Sequence, residues 1–315
     1  MIEARGLSRT FKTRAGTVEA VRGIDLDVAA GEIVGLLGPN GAGKTTTQRM
    51  LATLLVPTRG EATVAGCDLR KDPLGVRRQL GYVSQTGGTH PLVKVDEELV
   101  TQAELYGLSR AVGRARAKVL RQLLDLGDLG DRLITTLSGG QRRRVDIALG
   151  LVHEPRLVFL DEPSTGLDPH ARANLWTHIR GLRDRQGTTI LLTTHYLDEA
   201  DALCDRVMII DDGRIVASGT PAELKRRISG DVVTFELDDA ARGVDLLAAR
   251  PCARDVASIG RGLQVTVDHG EAEALVLLRA LEAAGITVSA LSIRRSSLDD
   301  VFLTLTGRSL RDAAN

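Results

Sequence analysis

Leu137-Ser138-Gly139-Gly140-Gln141 decides the reading of this chain, because the same chain also carries Gly38-Pro39-Asn40-Gly41-Ala42-Gly43-Lys44-Thr45-Thr46. The second stretch fits the pattern G-x-x-x-x-G-K-[ST] of loops that cradle the phosphates of a nucleoside triphosphate. Gly38, Gly41 and Gly43 let the backbone curl until its amides point at phosphate oxygens. A helix expected from Lys44 adds the positive end of its dipole. Lys44 is expected to neutralise the β- and γ-phosphates, and Thr45 to offer its hydroxyl to Mg²⁺. In the first stretch Ser138 is a good helix N-cap, ahead of a helix expected near Arg142, and free amides at a helix start bind anions. Two phosphate-binding devices therefore sit in one chain. A single nucleotide already enveloped by 38–46 leaves little room for both. The economical arrangement is two copies head to tail, each copy's 137–141 closing the other's glycine loop.

Three apolar runs, 33–37, 157–160 and 189–193, read as buried strands. Continuous apolar character without alternation suggests a parallel sheet covered on both faces. Each run is followed at once by polar residues: the glycine loop, Asp161-Glu162, and His195. Ligands of open parallel sheets bind beyond the carboxyl ends of the strands, so three strands aim their chemistry at one edge. Asp161 there can hold a Mg²⁺ shell, while Glu162 is free to orient or deprotonate an attacking water. His195 can hydrogen-bond a γ-phosphate. Gln85 follows another short strand at 80–84 and can ligate Mg²⁺ through its amide oxygen. Phe11, ahead of the first strand pair in a chain with only 3% aromatic residues, can stack on adenine.

Composition narrows the partners. The 315 residues suffice for two domains, and 43% apolar with 26% charged residues is ordinary for a folded soluble protein. A formal net charge of +0 gives no bulk attraction to nucleic acid or anionic lipid, and Arg142-Arg143-Arg144 is too short a basic patch to supply one. No nucleic-acid partner is expected. No run reaches the roughly 18–20 apolar residues of a spanning helix, and the N-terminus lacks the core of a secretion signal. The expectation is a cytoplasmic chain whose membrane role runs through a partner. Cys67, Cys204 and Cys252 show neither disulfide nor zinc spacing and read as reduced packing residues.

Residues 99–136 are expected to form a helical lobe leading to the 137–141 segment. A turn at 212–213 and a late strand precede a short helix over 222–228 that stops near Ser229-Gly230, which places the domain boundary between 1–228 and 229–315. Beyond it, strand-like 232–237, 255–259, 263–267 and 286–293 alternate with helical 243–249 and 271–284. That β-α-β-β-α-β order fits a ferredoxin-like α+β domain.

The ordered set 38–46, Gln85, 137–141, 157–162, 164–168 and His195 resembles the nucleotide-binding domain of an ABC transporter, over about two-thirds of the chain. The fold it implies is α/β, a P-loop NTPase with a mixed sheet and a helical lobe. By this resemblance Phe11 is the adenine-stacking aromatic, 38–45 the Walker A loop and Gln85 the Q-loop glutamine. Ser138, Gly139, Gly140 and Gln141 belong to the signature, Asp161 is the Walker B aspartate and Glu162 the catalytic carboxylate. Residues 164–168, ending in Asp168, match the D-loop, and His195 the switch histidine. ATP and Mg²⁺ are the implied cofactors, and a homodimer formed on ATP binding the implied assembly. The tail at 297–307, Ser-Leu-Asp-Asp-Val-Phe-Leu-Thr-Leu-Thr-Gly, is similar to the C-terminal motif of daunorubicin-resistance-type ATPase subunits. Those subunits serve a separate ABC-2-type membrane permease in export of drugs or secondary metabolites, peripheral on the inner face of the cell membrane. Leu298, Val301, Phe302 and Leu305 also share one helical face that can pack on the C-terminal sheet. Residues 86–99 depart from the family's usual Leu-Thr…Glu-Asn-Leu wording, in a region that faces the permease in that family. The competing reading is a soluble ABC ATPase acting on nucleic acid or ribosomes. Such proteins carry long coiled coils or two fused ATPase halves, whereas this chain has one glycine loop and no heptad array.

Overall fold

Apolar runs buried along their whole length form the centre of the first unit. In the computed structural model, which describes residues 1–14, 16–260 and 262–307, they are the strands Ile33–Leu37, Leu157–Asp161 and Thr189–Thr194. They belong to a sheet that, among the described residues, has six strands. Its order is Arg214–Gly219, Arg206–Asp211, Ile33–Leu37, Thr189–Thr194, Leu157–Asp161, Leu80–Val83. From Arg206–Asp211 across to Leu80–Val83 every neighbouring pair is parallel. The ends of the three strands that precede the glycine loop, Asp161-Glu162 and His195 therefore share one edge, as the sequence led us to expect, and Leu80–Val83, which leads to Gln85, ends on the same edge.

A second sheet, antiparallel, is built from Gly16–Val28, Ile2–Thr13, Arg59–Val64 and Cys67–Asp68. Phe11 lies inside the strand Ile2–Thr13, opposite Val18, and not ahead of the strands as the sequence suggested. Pairing with Gly16–Val28 extends the strand past it. Between the two sheets runs one apolar layer that includes Leu7, Leu26, Leu36, Met50, Phe159 and Met208. It clamps the helix Lys44–Leu51 to both sheets.

The helical lobe starts at Val95, four residues before the expected 99, with helices Val95–Leu105 and Arg110–Leu123 packed on each other. It leads into the helix Gly139–Leu151, which begins three residues ahead of the expected Arg142. Two glycines are poor helix formers, so propensity argues against this start. A capping box overrides propensity: Ser138 Oγ accepts the Gln141 amide (3.2 Å) and Gln141 Oε1 accepts the Ser138 amide (2.9 Å).

The chain divides into two compact units, the first Met1–Ser218 and the second starting at Gly219. The second unit's antiparallel sheet has the order Asp255–Ile259, Gly262–Val267, Asp231–Leu237, Val288–Arg294, with helices Ala240–Ala248 and Gly270–Ala283. This is the ferredoxin-like arrangement expected from the element order. Its core includes Val233, Phe235, Val265, Leu277 and Leu281. The tail helix Leu298–Thr306 buries Leu298, Val301 and Phe302 but leaves Leu305 36% exposed. It packs chiefly on Pro221–Leu224 and Lys225–Ser229, not on the sheet as its apolar face suggested. That contact draws 221–228, expected to close the first domain, into the second unit. Residues 308–315, the expected end of that domain, lie outside the described residues. Cys67, Cys204 and Cys252 are free thiols. No helix among the described residues is long and apolar enough to cross a membrane.

Phe159, fully buried between sheet and helix, sits two residues before Asp161. Phe159→Ala is expected to lower the unfolding free energy by about 3–5 kcal/mol in urea titrations. A loss under about 1 kcal/mol would contradict the packing described for this layer.

Candidate active site

The glycine loop turns from the strand Ile33–Leu37 into the helix Lys44–Leu51. Gly43 makes the turn at φ 105°, where a Cβ would stand 2.5 Å from the Ala20 carbonyl oxygen. Only glycine fits both the conformation and the space. The turn folds Lys44 back over its own loop: Nζ donates to the carbonyls of Gly38 (2.7 Å) and Pro39 (3.0 Å). It also lies 3.5 Å from Glu162 Oε1, with both side chains buried. Beside it Thr45 Oγ1 donates to Asp161 Oδ1 (2.9 Å).

Asp161 and Glu162 end the strand Leu157–Asp161 and point into the same place. Thr193, on the adjacent strand, fixes both. Its hydroxyl donates to Asp161 Oδ1 (2.6 Å) and accepts the Glu162 amide (3.1 Å). Tyr82, from the next strand over, reaches Asp161 Oδ2 at 3.5 Å. Burial, and then the charge of Asp161, push the Tyr82 phenol up to about 12, so it stays a donor. Glu162 stands at φ 45°, a left-handed conformation that costs a non-glycine residue about 1–3 kcal/mol. Such strain persists only where the surroundings over-determine it.

Those surroundings are explicit. Gln85 Nε2 donates to Glu162 Oε2 (2.9 Å), Thr165 Oγ1 donates to the same oxygen (3.2 Å), and His195 Nδ1 lies 3.2 Å from it. His195 is aimed by a tight turn after its strand, in which Thr194 Oγ1 accepts the Tyr196 amide (2.9 Å). Burial raises the Glu162 carboxyl, but His195, Lys44 and Thr165 together outweigh it and hold the group below the usual carboxylate range. At Lys44 burial wins and lowers the ammonium in spite of Glu162 and Asp161. Incoming phosphate charge acts in the opposite direction.

A cavity of about 350 Å³ opens between loop residues Asn40 to Thr46 on one side and Gln85 and Glu162 on the other. Loop amides, the start of a helix and a buried ammonium suit it to a polyphosphate. The Thr45 hydroxyl, the Asp161 carboxylate and the Gln85 amide oxygen are hard oxygen donors of the kind Mg²⁺ takes. The structure thus brings Lys44, Thr45, Thr46, Gln85, Asp161, Glu162 and His195 together, with Gly38, Pro39 and Ala42 forming the buried side of the loop.

Other expected site residues stand apart from this cavity. Phe11 is not among its lining residues; the Arg9 guanidinium lies 4.6 Å over its ring centroid. Ser138, Gly139, Gly140 and Gln141, which are not among the lining residues either, cap and start the helix Gly139–Leu151, and Asp168 caps the helix Pro169–Gln186 by accepting the Ala171 amide (2.9 Å). Sequence reasoning did not single out Thr193, Tyr82 or Arg143. Thr193 and Tyr82 lie in strands adjoining an acidic strand end, a position that marks side chains able to reach it; Arg143 carries no local signal beyond its arginine run.

Residues 21–165 match the ABC transporter family, and residues 219–306 match the C-terminal domain of DrrA1-3-like ATP-binding proteins. A daunorubicin/doxorubicin resistance ATP-binding protein, DrrA, of Streptomyces peucetius is 45% identical, covering 99% of this chain and 94% of that protein. A Nod factor export ATP-binding protein I of Burkholderia lata is 38% identical, covering 96% and 97%. Among solved structures, a dimeric bacterial ABC transporter cassette superposes with a TM-score of 0.64 at 25% identity, over 70% of this chain and 98% of that one. With a nearly full-length relative at this identity, and with both family models matched along its length, the chain belongs to the ABC transporter ATP-binding proteins of the daunorubicin-resistance type.

Proposed function

We propose that this ATPase subunit drives a separate membrane permease of the ABC-2 type in export of a drug, antibiotic or other hydrophobic metabolite. Two copies close on two ATP molecules with Mg²⁺, at the inner face of the cell membrane. The observation that carries the reading is the meeting of Lys44, Gln85 and His195 on the single carboxylate of Glu162. Export is supported by relatives whose names state resistance to daunorubicin, doxorubicin and linearmycin, or Nod factor export. Pairing is supported by the dimeric form of the related cassette.

Lys44 and the loop amides hold the β- and γ-phosphates, and Phe11 offers a ring to adenine. Mg²⁺, when bound, neutralises phosphate charge; Thr45, Asp161 and Gln85 are the residues that would hold it. Glu162, kept ionised by its neighbours, orients the attacking water and takes its proton. His195 contacts the γ-phosphate and holds Glu162 from the other side. Ser138 of the second copy, with Gly139, Gly140 and Gln141, supplies positive dipole to the charge that develops there, and Asp168 lies at the same junction.

Glu162→Gln is expected to bind ATP with near-parent affinity, to lose turnover by about 10²–10⁴-fold, and to accumulate as an ATP-bound dimer in size-exclusion chromatography. Hydrolysis at the parent rate would remove Glu162 from its role. Ser138→Arg should leave ATP binding by each copy intact and abolish the ATP-dependent dimer; undiminished dimerisation refutes the shared site. The lowered Glu162 pKa also makes a stability prediction. Its contribution is complete above the ordinary carboxylate value and is lost as pH falls through the depressed one. As pH falls from neutral through and below the ordinary carboxylate range the parent should therefore lose thermal stability relative to Glu162→Gln, and parallel melting curves would count against the ionised carboxylate.

A further inference from the structure

The run Arg142-Arg143-Arg144 contains one arginine that does not behave as a surface charge. Arg142 is exposed, and Arg144 bonds the Leu124 and Asp125 carbonyls. Arg143 is 7% exposed, and all three guanidinium nitrogens donate to main-chain carbonyls. Nε donates to Pro163 (2.9 Å). Nη1 donates to Ser84 (2.7 Å) and Gln85 (3.4 Å). Nη2 donates to Asp161 (2.9 Å) and Glu162 (3.5 Å). Burial lowers this guanidinium, while Asp146, Asp161 and Glu199 favour its charge.

Three of the accepting carbonyls, Asp161, Glu162 and Pro163, are consecutive. Consecutive carbonyls of an extended strand point to opposite sides, so all three can face one planar fork only where the chain turns sharply. That turn is the left-handed Glu162. The remaining carbonyls belong to Ser84 and to Gln85, whose side chain bonds the Glu162 carboxylate. One helical turn on, Asp146 Oδ1 accepts the Gly88 amide (3.0 Å), so Arg143 and Asp146 grip the chain on both sides of Gln85.

We propose that Arg143 is a positioning residue for ATP hydrolysis: from the second turn of the signature helix it selects the strained backbone at Glu162 and sets Gln85 against it. The proposal rests on Glu162 being the base. Arg143 touches no reacting atom; it acts through the two residues it orients. A lysine cannot replace it fully, because a single ammonium cannot span the two backbone segments, 84–85 and 161–163, that a rigid five-donor fork can.

The test compares the full-length parent with R143K, R143M, E162Q and R143M/E162Q. Steady-state kinetics give kcat and KM for ATP, equilibrium binding gives the Kd, and single-turnover measurements reach the slow variants. R143M is expected to lower kcat about 10–100-fold with KM and Kd for ATP within about threefold, the cost of misplacing a reacting group by a fraction of its bond reach. R143K is expected in between. Once Glu162 is gone the group that Arg143 positions is gone, so R143M should cost less than about threefold in the E162Q background. An R143M enzyme at the parent kcat beside an inactive E162Q overturns the positioning role alone. So does an equal fold-loss in both backgrounds. Parent-rate turnover by E162Q overturns the base assignment and this proposal with it. Should R143M fail to fold, R143K decides: parent kcat overturns the proposal, and a kcat-only loss that disappears in R143K/E162Q supports it.

Discussion

One buried carboxylate organises this site. Glu162 sits among Lys44 from the glycine loop, Gln85 beyond the edge strand, Thr165 from the turn that follows, and His195 beyond the next strand. These side chains come from separate stretches of sequence, and each loses its geometry if the carboxylate moves. A buried acid without partners would be expensive and would take up a proton. Here the partners keep it charged, and the charge in turn keeps the partners in place.

The sheet makes the meeting possible. Parallel neighbours end on the same side, so the loops after Ile33–Leu37, Leu157–Asp161 and Thr189–Thr194 cannot avoid one another. Thr193 shows how finely this is used: one hydroxyl reaches sideways to Asp161 and receives the amide of Glu162, stitching two strand ends together. Beneath, Gln48 of the first helix donates to the carbonyls of Leu160 and Leu191, so the helix that follows the glycine loop is pinned to the same two strands. Strain at one residue is held in check by regular structure on every side.

The parts of the site that could be read directly from sequence are those whose signal is local. An apolar run followed at once by polar residues announced the ends at Lys44, Asp161 and His195, and the glycine spacing announced the loop. The second unit's strand and helix order also followed from periodicity. Arg143, Tyr82 and Thr193 were invisible because their meaning lies in what stands across from them in space. An arginine in an arginine run looks solvated until the fold encloses it. The start of the helix at Gly139 was missed because two glycines argue against a helix, and only the reciprocal bonds of Ser138 and Gln141 outweigh them. The tail helix was read correctly as amphipathic, but periodicity gives a face and not the surface it meets.

The two hydroxyls assigned to phosphate chemistry differ in how freely they can act. At Thr45 the hydrogen is already committed to Asp161, so any new ligand on that oxygen must coexist with the donation or displace it. At Ser138 the cap employs a lone pair, with the Gln141 amide supplying the hydrogen, and the serine's own hydrogen stays available. Ser138 can therefore donate outward while still starting its helix. A ligand that took that hydrogen bond would come and go with the cap, and so the helix start, intact.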